Sequence, residues 1–251
     1  ALWEGGPAHA LDAETLETEG TVCWADGLDG QPFSAHPSIE PDGTLWNFGI
    51  NARSRQLVLY EIAPDGRLRR SGTINLPAAP MVHDFAVTER RLVFLLPPFN
   101  FQGARLKMGA SILGSFAWQP RKGLRVLVID KADFARCWWA ELPTGFVFHM
   151  GGAWDDGGCV RVDYERYPDP TVVRKFARRV MCGRTTAFHP PKTTQLVFDL
   201  ANGRAHEETL ATDSEFPELH PDHVGRRYRF RYSAAASTPR NHPFQNAVRR
   251  L

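Results

Sequence analysis

The chain has 251 residues, enough to bury a substantial core without division into several domains, and we predict one domain over residues 1–251. Its content of 43% apolar and 23% charged residues is typical of an ordinary globular protein. A net charge of +2 argues against nucleic-acid binding as the main role, and no apolar run reaches the roughly eighteen residues that span a bilayer.

Along the chain, short segments rich in β-branched and aromatic residues alternate with turn signals made of Gly, Asp and Pro. These segments are 44–50, 56–62, 91–97, 124–130, 146–150, 159–167 and 194–200. Strands of this length between such turns predict an all-β fold built of hairpins. Residues 172–180 (VVRKFARRV) are the one weak candidate for a helix.

Two of the hairpins share one pattern, a strand followed by a tight turn and a more polar return strand. They are 56–70 (QLVLYEIAPDGRLRR) and 194–208 (TQLVFDLANGRAHEE). Repeated hairpins of this kind favour a β-propeller, whose blades each hold four strands in about 40–45 residues. Residues 97–118 (PPFNFQGARLKMGASILGSFAW) then predict an insertion into one blade.

Three histidines lie in distinctive segments: His36 in FSAHP, His83 in MVHDFAVTE and His149 in FVFHMGGAWDDG. They are too far apart to meet along one helix or hairpin, so only the fold can bring them together. Imidazole suits a divalent transition metal at neutral pH, and we predict a metal site. Each residue also has a plainer interpretation: His36 as a turn residue, His83 as a hydrogen-bonded core histidine, and His149 as the end of a strand beside a Gly-Gly bulge.

Two glutamates strengthen the metal hypothesis. A metal-bound histidine usually donates its other ring N–H to a carboxylate or a carbonyl. Glu4 lies between Trp3 and Gly5, and Glu215 precedes Phe216 and Pro217, which are unusual settings for a solvated surface glutamate.

Other candidate ligands are weaker. The four cysteines form no CxxC pair, which excludes a zinc ribbon and favours a reducing, cytoplasmic environment. The remaining histidines, including His242, lie in polar or Pro-rich loop sequence. His220 and His223 are three residues apart, but Pro221 prevents a regular helix there.

The three histidine segments, together with ALWEGG at the start and DSEFPE at 213–218, resemble the carotenoid cleavage oxygenase family. That family includes carotenoid and apocarotenoid dioxygenases, lignostilbene dioxygenases and the retinoid isomerohydrolase. The motifs occur in the family's order and extend over essentially the whole chain.

The resemblance implies part of a seven-bladed β-propeller with loop insertions over the metal face, and one Fe(II) per chain on the propeller axis. His36, His83 and His149 would be three of four histidine ligands, Glu4 would support His83, and Glu215 would support His149. The family's fourth histidine and third glutamate have no counterpart in residues 1–251. We therefore expect a chain truncated at both ends, with little oxygenase activity of its own.

The implied activity is a non-haem iron dioxygenase. It would cleave one conjugated C=C bond of a carotenoid, apocarotenoid or stilbene-type substrate with O2 and release two carbonyl products. A propeller metallohydrolase acting on a lactone or ester, and a non-catalytic propeller that serves as a binding module, are the alternatives. Isomerisation is a further possibility within the family.

A small lipophilic substrate is the expected partner, with no nucleic acid and no obligate protein partner. Trp46, Phe85, Trp154 and Phe116 are candidates for the wall of a substrate tunnel. The apolar insertion at 97–118 is compatible with a tunnel mouth, with peripheral contact to a membrane surface, or with plain packing at a blade edge.

Overall fold

The structure is a computed structural model that describes residues 1–184, 189–236 and 245–251. In chain order, the strands are β1 (His9–Leu11), β2 (Thr18–Thr21), β3 (Ser38–Ile39), β4 (Leu45–Asn51), β5 (Gln56–Ile62), β6 (Leu68–Asn75), β7 (Ala86–Val87), β8 (Arg91–Leu96), β9 (Phe99–Phe101), β10 (Phe116–Trp118), β11 (Leu124–Asp130), β12 (Cys137–Leu142), β13 (Phe146–Asp156), β14 (Cys159–Tyr167), β15 (Lys192–Asp199), β16 (Ala205–Thr212), β17 (Ser214–Glu218), β18 (Tyr232–Ala235) and β19 (Ala247–Arg250). The helical segments are α1 (Gly103–Lys107), α2 (Arg178–Met181), a π-helix at Val172–Ala177 that leads into α2, and 3-10 turns at Leu113–Ser115, Pro120–Lys122 and Pro221–His223.

Most of these strands form antiparallel meanders. Within the described ranges, three sheets have four strands each, in the orders β3-β4-β5-β6, β7-β8-β11-β12 and β13-β14-β15-β16. They are called the first, second and third sheets below. The strands β17, β18 and β19 form a further three-stranded sheet, and β1 pairs with β2. The seven segments predicted as strands all fall on β strands, so the prediction of a fold made of hairpins is confirmed.

The sheets stack face to face because their central strands are apolar on both faces. In β5, Leu57 and Leu59 face a core shared with the second sheet, while Val58 and Tyr60 face a core on the opposite side. A strand whose side chains alternate between two apolar cores is buried on both faces, as the almost continuous apolar run in the sequence requires.

The second sheet has the same design. In β11, Leu127 and Ile129 pack in the core shared with the first sheet, and Val126 and Val128 pack in the core shared with the third sheet. All four side chains are fully buried. The outer strand β6, by contrast, alternates between half-buried and exposed residues, as the polar return strand of the hairpin at 56–70 predicts.

The first strands of successive sheets lie next to one another, since β13 packs against both β7 and β17. Stacked four-stranded meanders with neighbouring first strands have the arrangement of β-propeller blades. Any side chain on or just before a first strand therefore lies near the line along which the blades meet.

Residues 97–118 form an elaboration between β8 and β11, as predicted. A hairpin of β9 and β10 encloses the short helix α1, which the sequence analysis did not anticipate. The weak helix candidate at 172–180 is confirmed, because Val172–Met181 is helical. Within the part of the chain that is described, no helix is long and apolar enough to cross a membrane.

Candidate metal centre

The three singled-out histidines come from three different sheets and meet at one point. His36 precedes β3, His83 precedes β7, and His149 lies within β13. Each offers one ring nitrogen, and these atoms all lie within 4.8 Å of one another. The Nε2 atoms of His36 and His83 are 2.9 Å apart. The described residues thus contain a group of three imidazoles that could hold a metal ion.

Contacts within the protein hold the turn that carries His36 and the ring of His83. The turn that carries His36 is held by Ser34, whose Oγ accepts the His36 backbone N–H at 3.0 Å. The buried amide of Asn47 in turn donates to the Ser34 carbonyl at 2.9 Å. The His83 ring stacks on Phe148, with centroids 4.0 Å apart and planes within 2° of parallel.

Glutamates hold the outward-facing nitrogens of two of these rings. Glu4 Oε1 contacts His83 Nδ1, and Glu215 Oε2 accepts from His149 Nδ1 at 2.7 Å. A carboxylate on Nδ1 fixes the proton there, so the lone pair of Nε2 is free to bind a metal. The two glutamates therefore contact the histidines that the family resemblance paired with them.

Both carboxylate oxygens of Glu215 accept hydrogen bonds. Its Oε1 accepts from the buried hydroxyl of Tyr167 at 2.6 Å, and its Oε2 also accepts the Phe216 backbone N–H at 2.7 Å. Phe216 has φ of 52°, an uncommon conformation for a residue with a side chain. This backbone bend places the Phe216 ring 4.8 Å from the His149 ring.

The pKa values of groups in and beside the histidine cluster are shifted in different directions. Burial, followed by the neighbouring His83 and His149 rings, lowers the pKa of His36 to about 4, so His36 is unprotonated at neutral pH. Burial also lowers the pKa of His149, but the hydrogen bond and charge of Glu215 outweigh it and the pKa is raised overall. Burial raises the pKa of the adjacent Asp84 to about 6, against two backbone hydrogen bonds that lower it.

The residues fit a transition-metal ion. Three imidazole nitrogens that lie within 4.8 Å of one another can surround one ion. An all-imidazole donor set favours zinc, copper, iron or nickel over magnesium or calcium.

Two cavities adjoin the centre. One of about 270 Å³ is lined by His36 and His149 together with Asp84, Phe85 and Gly152. The other, of about 340 Å³, lies on the Glu4 side and is lined mainly by apolar residues: Trp3, Ile50, Met81, Val82, Phe101, Leu106, Ile112, Leu113 and Phe116.

The four tunnel candidates have different surroundings. Phe85 lines the smaller cavity and Phe116 the larger one. Trp46 lies buried in the core between the first and second sheets, and its indole N–H donates to Glu40 at 2.6 Å. Trp154 packs edge-on against Tyr228, with ring centroids 5.2 Å apart.

One wall of the smaller cavity depends on the absence of a side chain at position 152. A Cβ atom on Gly152 would lie 2.2 Å from a ring carbon of Tyr228 and 2.4 Å from a methyl carbon of Leu219. Real Cβ atoms do not approach other atoms so closely, so these two side chains fill the space that a side chain at 152 would need.

Several residues that shape the site were not predicted from the sequence. Asp84, Phe148, Tyr167 and Phe216 all touch a histidine or its carboxylate partner, or flank one in the chain. For Asp84, Phe148 and Phe216 the available signal was adjacency to a singled-out His or Glu, while Tyr167 had none. His220 and His223 are exposed, with ring centroids 6.2 Å apart, and His242 lies outside the described residues.

Comparisons with known proteins agree with this arrangement. A family profile described as Retinal pigment epithelial membrane protein matches residues 1–251. The chain is 30% identical to the apocarotenoid-15,15'-oxygenase of Synechocystis sp., a match that covers 94% of this chain and 50% of that protein. It is 28% identical to a carotenoid 9,10(9',10')-cleavage dioxygenase of Crocus sativus, over 88% of this chain and 40% of that protein. An isoeugenol monooxygenase of Pseudomonas nitroreducens is 28% identical over 65% of this chain and 34% of that protein.

Solved structures show the same likeness. The crystal structure of a chimera of apocarotenoid oxygenase (ACO) and RPE65 matches this chain with a TM-score of 0.82 and 29% identity. The match covers 100% of this chain and 54% of the chimera's chain. Cobalt-substituted Synechocystis ACO has a TM-score of 0.81 with 29% identity and the same coverage. These matches confirm the predicted fold class, a mainly β chain that forms part of a β-propeller. The chain spans about half the length of the curated relatives that it matches.

Proposed function

Since the chain belongs to the retinal pigment epithelial membrane protein family, which includes carotenoid cleavage oxygenases, we propose that it carries most of the iron centre of such an enzyme. The reaction proposed is cleavage of one conjugated C=C bond of a carotenoid, apocarotenoid or stilbene-type substrate. O2 supplies one oxygen atom to each carbon, which gives two carbonyl products. The observation that carries the proposal is the convergence of His36, His83 and His149 from three sheets.

Ferrous iron held by these imidazoles would supply redox chemistry with dioxygen, which protein side chains lack. The chain's own residues have two tasks. Glu4 and Glu215 keep the Nδ1 protons of His83 and His149 in place, so that Nε2 faces the ion. Phe148, stacked on His83, keeps that ring from rotating.

The second task is to hold an apolar substrate. The larger cavity is lined almost entirely by apolar side chains and reaches Glu4, the residue that contacts His83. Such a lining suits a long hydrocarbon and excludes water, and a fixed substrate position selects the bond that reacts. The relatives' names support the substrate class, because they include a resveratrol cleavage oxygenase beside the carotenoid enzymes.

The test is reconstitution with ferrous iron under anaerobic conditions, followed by O2 and a panel of apocarotenoids and hydroxystilbenes. It uses both the 251-residue chain and the longest open reading frame that contains it. The expected result is iron-dependent aldehydes, detected by mass spectrometry with the longer protein, and their loss in His83→Ala.

The control is His206→Ala, which removes an exposed histidine on β16, the outermost strand of the third sheet, and is expected to leave the products unchanged. Stoichiometric iron without any product from the panel would contradict the proposed cleavage. Hydrolysis of a lactone or ester added to the panel, in the absence of O2 and restored by Zn2+ or Ca2+, would favour a metallohydrolase instead.

We also propose that the insertion at 97–118 touches a membrane surface from which the substrate is taken up. Leu106 is 42% exposed, Met108 78% and Ile112 50%, and Arg105 and Lys107 flank them. Exposed apolar side chains beside basic ones are typical of interfacial binding. Leu106 and Ile112 also line the larger cavity, so the proposed membrane-binding surface is continuous with the wall of that cavity.

Co-sedimentation with vesicles of neutral and anionic phospholipid tests this contact. The double variant Met108→Ser/Ile112→Ser is expected to lose most of the vesicle-bound fraction. Leu210→Ser, which changes an exposed apolar residue of β16, is the control and is expected to bind like the unaltered chain. Equal binding by all three proteins would contradict the proposal.

A further inference from the structure

Asp84 connects the His83 segment of the second sheet to the His149 segment of the third sheet. It follows His83 in the chain and precedes β7. Its Oδ1 accepts the Phe85 backbone N–H at 2.7 Å, and its Oδ2 accepts the Met150 backbone N–H at 2.7 Å. Met150 follows His149, so one carboxylate ties the backbone beside His83 to the backbone beside His149.

The third sheet is irregular at the point that Asp84 contacts. The pairing of β13 with β14 shifts register between Val147 and Met150 and again between Met150 and Ala153. Irregular pairing re-aims side chains and disrupts the hydrogen-bond ladder locally. Met150 lies between the two shifts, and its N–H donates to Asp84, just before β7 of the second sheet.

We infer that Asp84 is a positioning residue of the metal centre, which sets the spacing between the His83 and His149 rings by clamping their backbones together. This inference rests on the proposed metal-binding function. Asp84 also lines the smaller cavity beside His36 and His149, so its negative charge stands close to any cation held there. Both of its oxygens are needed as acceptors, which an amide of the same shape cannot provide.

A second aspartate joins the same two sheets and offers a matched control. Asp155, near the far end of β13, accepts from the Arg90 backbone N–H at 3.2 Å and from the Arg91 guanidinium. It holds β13 to the start of β8, and its two partners there, Arg90 and Arg91, are not neighbours of a cluster histidine in the chain. Loss of Asp155 is therefore expected to weaken the attachment of the third sheet to the second without moving the histidine rings.

The experiment compares Asp84→Asn with Asp155→Asn in the 251-residue chain and uses Co2+ as the probe. Chelator competition gives the Co2+ dissociation constant, the d–d absorption spectrum reports ligand geometry, and thermal unfolding gives stability. We expect Asp84→Asn to raise the dissociation constant about tenfold and to change the spectrum. Asp155→Asn is expected to lower the unfolding midpoint and to leave both metal readouts unchanged.

Three outcomes would overturn the inference. An unchanged dissociation constant and spectrum in Asp84→Asn would show that the clamp does not position the rings. An equal loss of affinity in Asp155→Asn would assign the effect to general sheet stability. If the unaltered chain binds no Co2+ at all, the metal centre fails, and this inference fails with it.

A measurement on the unaltered chain covers the case in which Asp84→Asn does not fold. Amide hydrogen exchange, read by NMR, is compared with and without Co2+ or its diamagnetic substitute Zn2+. If Asp84 holds the histidine rings in their metal-bound positions, metal binding slows exchange of the Met150 amide several-fold more than exchange of the Arg90 amide. The Arg90 N–H donates its hydrogen bond to Asp155 instead of Asp84. Equal slowing of the two amides would overturn the inference.

Discussion

At the scale of single residues, a chain of buried hydrogen bonds runs from Tyr167 through Glu215 to His149. Tyr167 Oη donates to one carboxylate oxygen at 2.6 Å, and the other oxygen accepts from His149 at 2.7 Å. Burial, followed by the charge of Glu215, raises the pKa of Tyr167, so its hydroxyl stays a donor at any ordinary pH. The phenol thus fixes which Glu215 oxygen is left for the histidine.

Replacement of Tyr167 by Phe removes that donor without changing the packing of the ring. A hydrogen bond to a charged group contributes about 1.5–3 kcal/mol, so we expect the free energy of unfolding to fall by about that amount. The Phe216 N–H then remains as the other donor to Glu215, so the carboxylate is held less firmly against His149 and the affinity for Co2+ should also fall several-fold. Chemical denaturation and chelator competition measure the two effects.

The control for this variant is Tyr60→Phe, which removes a buried hydroxyl whose hydrogen bond goes to the Pro32 carbonyl at 3.0 Å rather than to Glu4 or Glu215. It is expected to cost about 1 kcal/mol of stability and no metal affinity. A Tyr167→Phe variant that binds Co2+ as tightly as Tyr60→Phe would show that Glu215 is held well enough without the phenol.

At the scale of elements, buried charges join one sheet to the next. Lys131, just after β11, donates to Glu40 Oε1 at 2.8 Å and to the Thr88 carbonyl at 2.6 Å. Its Nζ also lies 4.9 Å from the centre of the Trp46 ring, and Trp46 donates to the other Glu40 oxygen. One cation thus connects the first sheet to the second, while its burial lowers its pKa.

Lys131→Met is expected to lower the free energy of unfolding by about 2–4 kcal/mol, because it leaves a largely buried carboxylate and a buried carbonyl without their donor. The side chain of Glu40 is 18% exposed, and water reaching it keeps the loss below that of a fully buried pair. Urea denaturation measures the effect. Arg67→Met is the control, since its ion pair with Asp65 is exposed and should contribute less than about 0.5 kcal/mol. Equal losses of unfolding free energy in the two variants would show that Lys131 stabilises the fold no more than an exposed ion pair does.

The sequence was informative where structure depends on neighbours in the chain. The apolar runs of β5, β11 and β15 and the polar return strands β6 and β16 follow directly from local patterns. The helix α1 was missed because five residues without a cap or a buried face give no periodic signal.

The site was predictable only in part, for the same reason. Glu4 lies 79 residues from His83, and Glu215 lies 66 residues from His149, so no local pattern could pair them. The family resemblance supplied those pairs. Asp84, although adjacent to His83, acts through a backbone N–H of another sheet, and Tyr167 acts from the neighbouring strand β14, so only the folded chain brings them into view.

At the scale of the whole molecule, the histidine cluster is a junction of three sheets. His36, His83 and His149 each stand on or before the first strand of a different sheet. These strands are short at two of the three positions, since β3 and β7 have two residues each. An ion bound by all three rings would therefore add a direct link between the three sheets at this point.

Metal loading is accordingly expected to stabilise the entire chain. A ligand that binds only the folded state stabilises it by about 2.7 kcal/mol when its free concentration is one hundred times the dissociation constant. For a chain of this size, that corresponds to a rise of roughly 5–10 °C in the unfolding midpoint. Calorimetry with Co2+ and then with excess EDTA should show the rise and its reversal. His83→Ala should abolish it, because two rings cannot hold the third sheet to the second, whereas His206→Ala should retain it. A midpoint that rises equally in both variants would mean that the ion binds elsewhere on the chain.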